Sequence, residues 1–303
     1  MSGASNFVQG VDLTMIIILG VSVFFLVSIT GVMIYFAIRY HRKRNPRASN
    51  IEGNNTLEIV WTIIPTLLVL VMFYFGWAGF IPMRKVPADA IPLKAYGAMW
   101  SWSFEYPNGK KSAELVVPLN KPVKLDLISR DVIHSLYIPA FRIKEDVVPG
   151  KNNYLWFKAQ EVGEYDLFCA EYCGDRHSYM LSKVRVLPES EYNAWLAASD
   201  IPADEHPGLT VLKQNACLTC HSLDGSKIIG PTFKGLYGKQ ETVITNGQER
   251  IITADDLYIS HSIWEPNADV VKGYNQGLMI SYREQLKEEQ LNHILDFLKT
   301  IRQ

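Results

Sequence analysis

Hydrophobic and polar positions divide this chain into three regimes. Residues 15–38 and 59–83 carry no charged side chain. At about 1.5 Å of rise per residue each run reaches roughly 36 Å as a helix, enough to cross a hydrocarbon core of about 30 Å with some tilt. From residue 91 to about 187 the apolar residues come in short runs separated by turn signals, among them Pro107-Asn108-Gly109, Asn120-Lys121-Pro122 and Pro149-Gly150-Lys151-Asn152. Residues 123–127 alternate at period two, and residues 154–157, 165–168 and 183–187 have strand length with aromatic or branched side chains, so a small all-β sandwich or Greek-key barrel is predicted. Past Pro188 the period lengthens to that of a helix over residues 189–196. A proline- and glycine-bearing linker follows at 200–208, and the chain closes on an amphipathic helix at 287–301 with Leu291, Ile294, Leu295, Leu298 and Ile301 on one stripe. The expected organisation is a transmembrane hairpin over 1–88 (spans about 15–38 and 59–83), a β domain over 89–190, a helix and linker over 191–207 and a second soluble domain over 208–303.

Charge orients the hairpin. Arg39, Arg42, Lys43, Arg44 and Arg47 follow the first apolar run, whereas Asp12 is the one charge before it. The positive-inside rule places that loop in the cytoplasm and both soluble domains, with the two termini, on the outer side. A secretory leader would need a positive n-region and a shorter apolar core, and no Lys or Arg precedes Arg39, so an uncleaved helix is expected. With 48% hydrophobic residues and a formal net charge of −1, neither disorder nor a polyanion-binding surface is implied, and nucleic acid is not an expected partner.

Two constellations carry chemistry. The first is Cys169-Ala170-Glu171-Tyr172-Cys173-Gly174-Asp175-Arg176-His177-Ser178-Tyr179-Met180, with His134 as the other histidine of the β region. Thiolate and thioether are soft ligands that favour copper, and Cys, His and a weak Met are the ingredients of electron-transfer copper sites. Two thiolates could bridge two copper ions. A Cys169–Cys173 disulfide and a structural zinc site of two Cys and two His stay open on spacing alone, although neither calls for Met180.

The second is Cys217-Leu218-Thr219-Cys220-His221, the attachment signature of c-type haem, in which both thiols become thioethers and the histidine ligates iron. A zinc pair or a redox-active dithiol compete with it. Met279 is the one methionine after Met180 and is the expected distal ligand, with His261 and His293 as the other candidates. A His and Met pair raises the haem potential, as suits a carrier feeding copper.

The first constellation resembles the dinuclear copper (CuA) loop of cytochrome c oxidase subunit II. The likeness extends over most of residues 11–190, through the helix hairpin, the Leu57-Glu58-Ile59-Val60-Trp61-Thr62-Ile63-Ile64-Pro65 entry to the second span, the aromatic stretch Trp100-Ser101-Trp102-Ser103-Phe104-Glu105-Tyr106 and Asp131-Val132-Ile133-His134-Ser135. The resemblance implies a cupredoxin-like Greek-key barrel in which Cys169 and Cys173 bridge two copper ions, His134, His177 and Met180 ligate by side chain and Glu171 by its carbonyl. It further implies a magnesium ion shared with subunit I through the Glu171 carboxylate, a proton-path entrance at Glu58 and electron transfer through Trp100. Read without the family, Glu58 is a helix-start carboxylate and the aromatics are strand packing. Ser101 departs from the family, which often has a further aromatic there.

The C-terminal domain resembles an all-α class I cytochrome c, with Gly230-Pro231 after the attachment site and a closing helix; Ile280 stands where proline is common. Together the parts resemble subunit II of the caa3-type oxygen reductases. That resemblance implies a bacterial cytoplasmic membrane, embedding in lipid, subunit I and other oxidase subunits as partners, and an external electron donor such as a cytochrome or another periplasmic redox protein or complex. Electrons would run from donor to covalent haem c, to copper, to haem a of subunit I, where oxygen is reduced. Two further readings are an electron-entry subunit of a nitrogen-oxide reductase and a membrane-tethered copper carrier or redox sensor.

Overall fold

A computed structural model describes residues 3–47, 52–198 and 204–301. The first part of the expected linker, residues 200–203, lies outside the described residues. Two long helices open the chain, α1 (Val8–Arg39) and α2 (Asn55–Arg84). Each is long and apolar enough to cross a membrane, and their apolar side chains are exposed on every side, as expected where lipid replaces water as the surrounding medium. Both helices run past the uncharged stretches, because the helical backbone continues into the polar flanks. Asn54 starts α2 by accepting hydrogen bonds from the Thr56 and Leu57 amides at 3.0 and 3.1 Å.

The β domain is a sandwich of two five-stranded sheets. One is formed by β1 (Ile91–Ala98), β2 (Ser101–Glu105), β3 (Lys111–Ser112), β5 (Pro122–Ser129) and β8 (Asn153–Lys158), in the order β3-β2-β1-β5-β8. The other is formed by β4 (Leu115–Pro118), β6 (His134–Ile138), β7 (Ile143–Val147), β9 (Gly163–Cys169) and β10 (Leu181–Leu187), in the order β4-β10-β9-β6-β7. Alternation decides what faces inward: Leu93 and Ala95 of β1 are buried, Lys94 is exposed, and Trp102, Phe104, Leu125, Phe141 and Phe157 fill the space between sheets. All four strands read from the sequence lie within β5, β8, β9 and β10.

The anchor is fastened to this sandwich at several points. Ser5 bridges to Ala159, the Asn6 side chain accepts the Lys158 amide at 2.7 Å, and Phe7 meets Trp156 edge-on. From α2, the Pro82 carbonyl accepts the Trp156 indole N–H at 3.1 Å and the Arg84 carbonyl accepts the Tyr154 hydroxyl at 3.0 Å. Two ion pairs, Arg84–Glu145 and Arg142–Asp12, both at 2.8 Å, add to the joint.

Helix α3 (Glu189–Ala197) follows the sandwich as expected. The C-terminal part comprises α4 (Pro207–Gln214), β11 (Gln240–Thr245), β12 (Gln248–Thr253), α5 (Asp256–Trp264), β13 (Val270–Val271) and α6 (Glu288–Thr300). Helices α4 and α6 cross so closely that a Cβ on Gly208 would stand 2.0 Å from the His293 carbonyl oxygen. Of the expected stripe, Leu291, Ile294, Leu295 and Leu298 are buried there, while Ile301 caps the helix and is half-buried. The helical expectation needs one addition, the three-stranded sheet β12-β11-β13. Its hairpin turns on Asn246-Gly247, both at positive φ (51° and 82°), a dipeptide whose conformation matches the twist of paired strands.

Candidate metal centres

The copper constellation is assembled by a strand pairing that no local pattern specifies. β6 and β9 run antiparallel with Leu136 opposite Cys169, which brings His134 beside the loop that leaves β9. The Ala170 amide bonds the Ser135 carbonyl at 2.9 Å and the Cys169 amide bonds the Met180 carbonyl at 3.2 Å, so the loop returns on itself. Gly174, at φ +113°, makes the return; a Cβ there would also press within 3.1 Å of the Trp100 indole.

Inside the loop the donors converge. The Cys169 and Cys173 sulfurs are 3.8 Å apart, well beyond the roughly 2.05 Å of a disulfide. Each thiol has its own imidazole: His134 Nδ1 lies 3.9 Å from Cys169 Sγ and His177 Nδ1 3.5 Å from Cys173 Sγ. Met180 Sδ is 3.8 Å from Cys173 Sγ, and the Glu171 carbonyl oxygen is 3.2 Å from Cys169 Sγ. Met180 and His134 are fully buried, while the Glu171 carboxylate belongs to an exposed residue. Six donors, namely two thiols, two imidazole nitrogens, a thioether and a backbone carbonyl, exceed a four-ligand zinc set and fit copper.

The electrostatics prepare one thiolate. Burial alone would raise the Cys169 pKa, but its hydrogen bonds to His134, to the Ser135 and Glu171 backbone and to Cys173 outweigh that and hold it below the ordinary thiol value. Burial and the neighbouring Cys169 hold Cys173 above it. On the far side of His134, Nε2 meets Asp131 Oδ1 at 2.7 Å, which leaves Nδ1 toward the sulfurs. Asp131 is a site residue that the sequence reading quoted but did not single out. Its signal is a carboxylate three residues before a ligand histidine. Trp100 is buried and donates its indole N–H to the Cys173 carbonyl at 3.0 Å. Glu58 is exposed in the first turn of α2, far along the chain from this cluster.

The second centre is a cleft of about 160 Å³ in the C-terminal part. Cys217, Cys220, His221 and Met279 all line it, whereas His261 and His293 do not; they sit beside Glu265 and Glu289 instead. The His221 ring stacks on Phe233 at 4.5 Å, and its Nδ1 donates to the Pro231 carbonyl at 2.7 Å, leaving Nε2 toward the cleft. Gly230 makes room, since a Cβ there would fall 2.5 Å from the His221 ring. Burial pushes the Cys217 thiol up to about 12, raises Cys220 and lowers His221, so this cysteine pair is protonated and its histidine neutral. Neutral thiols and a single oriented imidazole fit covalent haem better than thiolate chelation of a metal ion. The cleft is also lined by Ala98, Met99 and Ser101 of the β sandwich. The two parts are held by Ile229 and Leu278, which pack on the sandwich, and by Lys111 Nζ on the Gln285 carbonyl at 3.0 Å.

Family models match in chain order: the transmembrane domain of cytochrome c oxidase subunit II over residues 2–76, its periplasmic domain over 110–187 and cytochrome c over 206–302. An alternative cytochrome c oxidase subunit 2 from Bradyrhizobium diazoefficiens is 32% identical across 61% of this chain and 79% of its own length. The chain belongs to the cytochrome c oxidase subunit II family. Cytochrome c oxidase subunit 2 of Alkalihalophilus pseudofirmus is 29% identical over 94% of this chain and 86% of its own length, so the likeness runs on through the C-terminal part. Among solved structures, the periplasmic domain of subunit II from Bradyrhizobium japonicum is 33% identical over 37% of this chain and 94% of that one, with a TM-score of 0.36. This subunit II is a membrane protein and an electron-transfer component of a haem-copper oxidase, with copper and haem c as its implied groups.

Proposed function

We propose that this subunit II receives electrons at a covalent haem c, passes them to a two-copper centre and hands them to haem a of subunit I. The observation that carries the reading is the placement of the haem cleft. Its lining includes Met99 and Ser101, and the residue between them, Trp100, donates a hydrogen bond to the carbonyl of Cys173. Cys217 and Cys220 hold the haem, His221 and Met279 ligate its iron, and Cys169, Cys173, His134, His177, Met180 and the Glu171 carbonyl hold the two coppers. Copper and haem supply the electron transfer itself. The chain's residues fix the ligand geometry, exclude water from Met180 and His134, and keep the two centres against each other.

In this reading both soluble parts lie on the outer face of a bacterial cytoplasmic membrane, because the basic loop after α1 stays inside. An external cytochrome or other redox protein is the donor, and subunit I lies against the helix hairpin. The exposed carboxylates of Glu171 and Glu58 are free to face that subunit, the first for a shared magnesium ion and the second for a proton path.

The test is anaerobic spectroscopy of the purified chain. A mixed-valence two-copper resonance is expected beside a low-spin haem whose sulfur-to-iron band disappears in Met279→Ala. A single mononuclear copper, or an unchanged haem band in the variant, would overturn the corresponding ligand assignment.

A further inference from the structure

The two centres are joined by more than the Trp100 contact. Asp131 follows β5, with its side chain almost wholly buried beside His134. One carboxylate oxygen, Oδ1, receives His134 Nε2 at 2.7 Å and the Val132 amide at 2.7 Å; the other, Oδ2, receives the Met99 amide at 2.6 Å. Met99 lines the haem cleft and His134 faces Cys169. A continuous path of one peptide, two charge-assisted hydrogen bonds and one imidazole therefore runs from the wall of the haem cleft to the copper ligands. Hydrogen bonds of this length to an ionised acceptor are the strong kind.

We propose that Asp131 is a positioning residue for electron transfer within the chain, holding the Met99 wall of the haem cleft and the His134 imidazole in fixed relation so that the electron crosses between them. This rests on the haem-to-copper reading above. When bound, the haem would give one electron and the copper pair would take it, with no bond formed and no proton moved; Asp131 only holds the two sites in place. The carboxylate serves both ends because it has two acceptor oxygens. An amide at this position has one acceptor, so Asp131→Asn keeps the His134 contact only by turning an N–H₂ group toward the Met99 amide, where two donors oppose each other.

The experiment uses the full, metal-loaded chain in detergent. Haem c is reduced by a light pulse and the haem-to-copper step is followed optically in the native chain, in Asp131→Asn and in Trp100→Phe. The expected result is at least a tenfold slower step in Asp131→Asn, with an unaltered haem spectrum and a two-copper resonance whose nitrogen hyperfine structure has changed. A rate within twofold of the native chain overturns the proposal. Hydrogen exchange of the Met99 amide is the second measurement, made on native and Asp131→Asn chains with and without copper. Protection lost in the variant is expected, and equal protection in both overturns the proposal even where the variant does not load copper. If the native chain itself transfers no electron from haem to copper, the haem-to-copper reading falls. If the native chain transfers and Asp131→Asn matches it, only the role of Asp131 falls.

Discussion

The two cysteine pairs of this chain are close in sequence and opposite in character. Cys169 and Cys173 lie inside a loop whose backbone amides, imidazoles and thioether already surround the place a metal would take, and one of the thiols is held below its ordinary pKa. Cys217 and Cys220 line a broad, mostly apolar cleft, where burial keeps both protonated. The first site is finished by the protein and needs only ions. The second needs its cofactor as filling, because helices α4, α5 and α6 surround a space rather than a packed centre. Sulfur chemistry follows from the surroundings: convergent donors favour thiolate at Cys169, and an apolar wall favours a neutral thiol ready to become a thioether.

Replacing both haem cysteines should break this comparison most severely. Cys217→Ser together with Cys220→Ser is expected to abolish covalent haem and to lower the thermal stability of the helical C-terminal part by several kcal/mol, as an empty apolar cavity does. The two-copper resonance should persist in the same sample, and its loss would show that the copper loop depends on the filled cleft. Gly230→Ala is the next smaller perturbation. Its methyl would meet the His221 ring at 2.5 Å, so the ring must swing or the backbone shift, at a cost of about 1–3 kcal/mol. Part of the haem should turn high-spin, read from its visible spectrum, with copper unaffected.

The smallest effect concerns acid. Asp269, buried beside β13, bonds Arg250 at 2.6 Å and also meets Thr245, and the Arg250 hydrogen bond is the main cause holding its carboxyl below the ordinary 3.8. A depressed folded-state pKa contributes stability above the unfolded value and loses it as pH falls through the folded one. Because Arg250 is half-exposed, the contribution is about 1 kcal/mol or less. Asp269→Asn should therefore lower the unfolding midpoint slightly at pH 6 and leave it unchanged near pH 2, measured by following the C-terminal part in detergent. A constant difference across that range would assign the effect to shape instead of charge.

What could be read beforehand was whatever is written in neighbouring residues. The spans appear because lipid demands an uninterrupted apolar run, the strands because one face is buried, and both metal motifs because most of their ligands are clustered within a dozen positions. The Cys169–Met180 loop carried five of its six donors in view. His134 stood out as the other histidine of the β region, but its place beside the loop needed the pairing of β6 with β9, a long-range event that composition does not encode. Asp131 stood in the quoted segment yet spoke only once Met99 was seen on its other side. The contact between cleft and sandwich depends on Ile229 and Leu278 docking across domains, and neither residue has a distinctive pattern. The β11–β12 hairpin is a different kind of omission, since Asn246-Gly247 between alternating runs is a readable local signal that a helical expectation had obscured.

The fastening of the anchor has a mechanical consequence. Ser5 and Asn6 ahead of α1, and Pro82 and Arg84 at the end of α2, grip one edge of the sandwich around β8, so the helix ends are tied to the sheet directly and not only through the connecting residues 85–90. A helix pair that tilts to match a thinner bilayer has no hinge there to absorb the rotation, so the sandwich tilts with it. The height of the copper loop above the lipid is thus set by membrane thickness as well as by the protein, and the bilayer becomes one of the dimensions of the electron path.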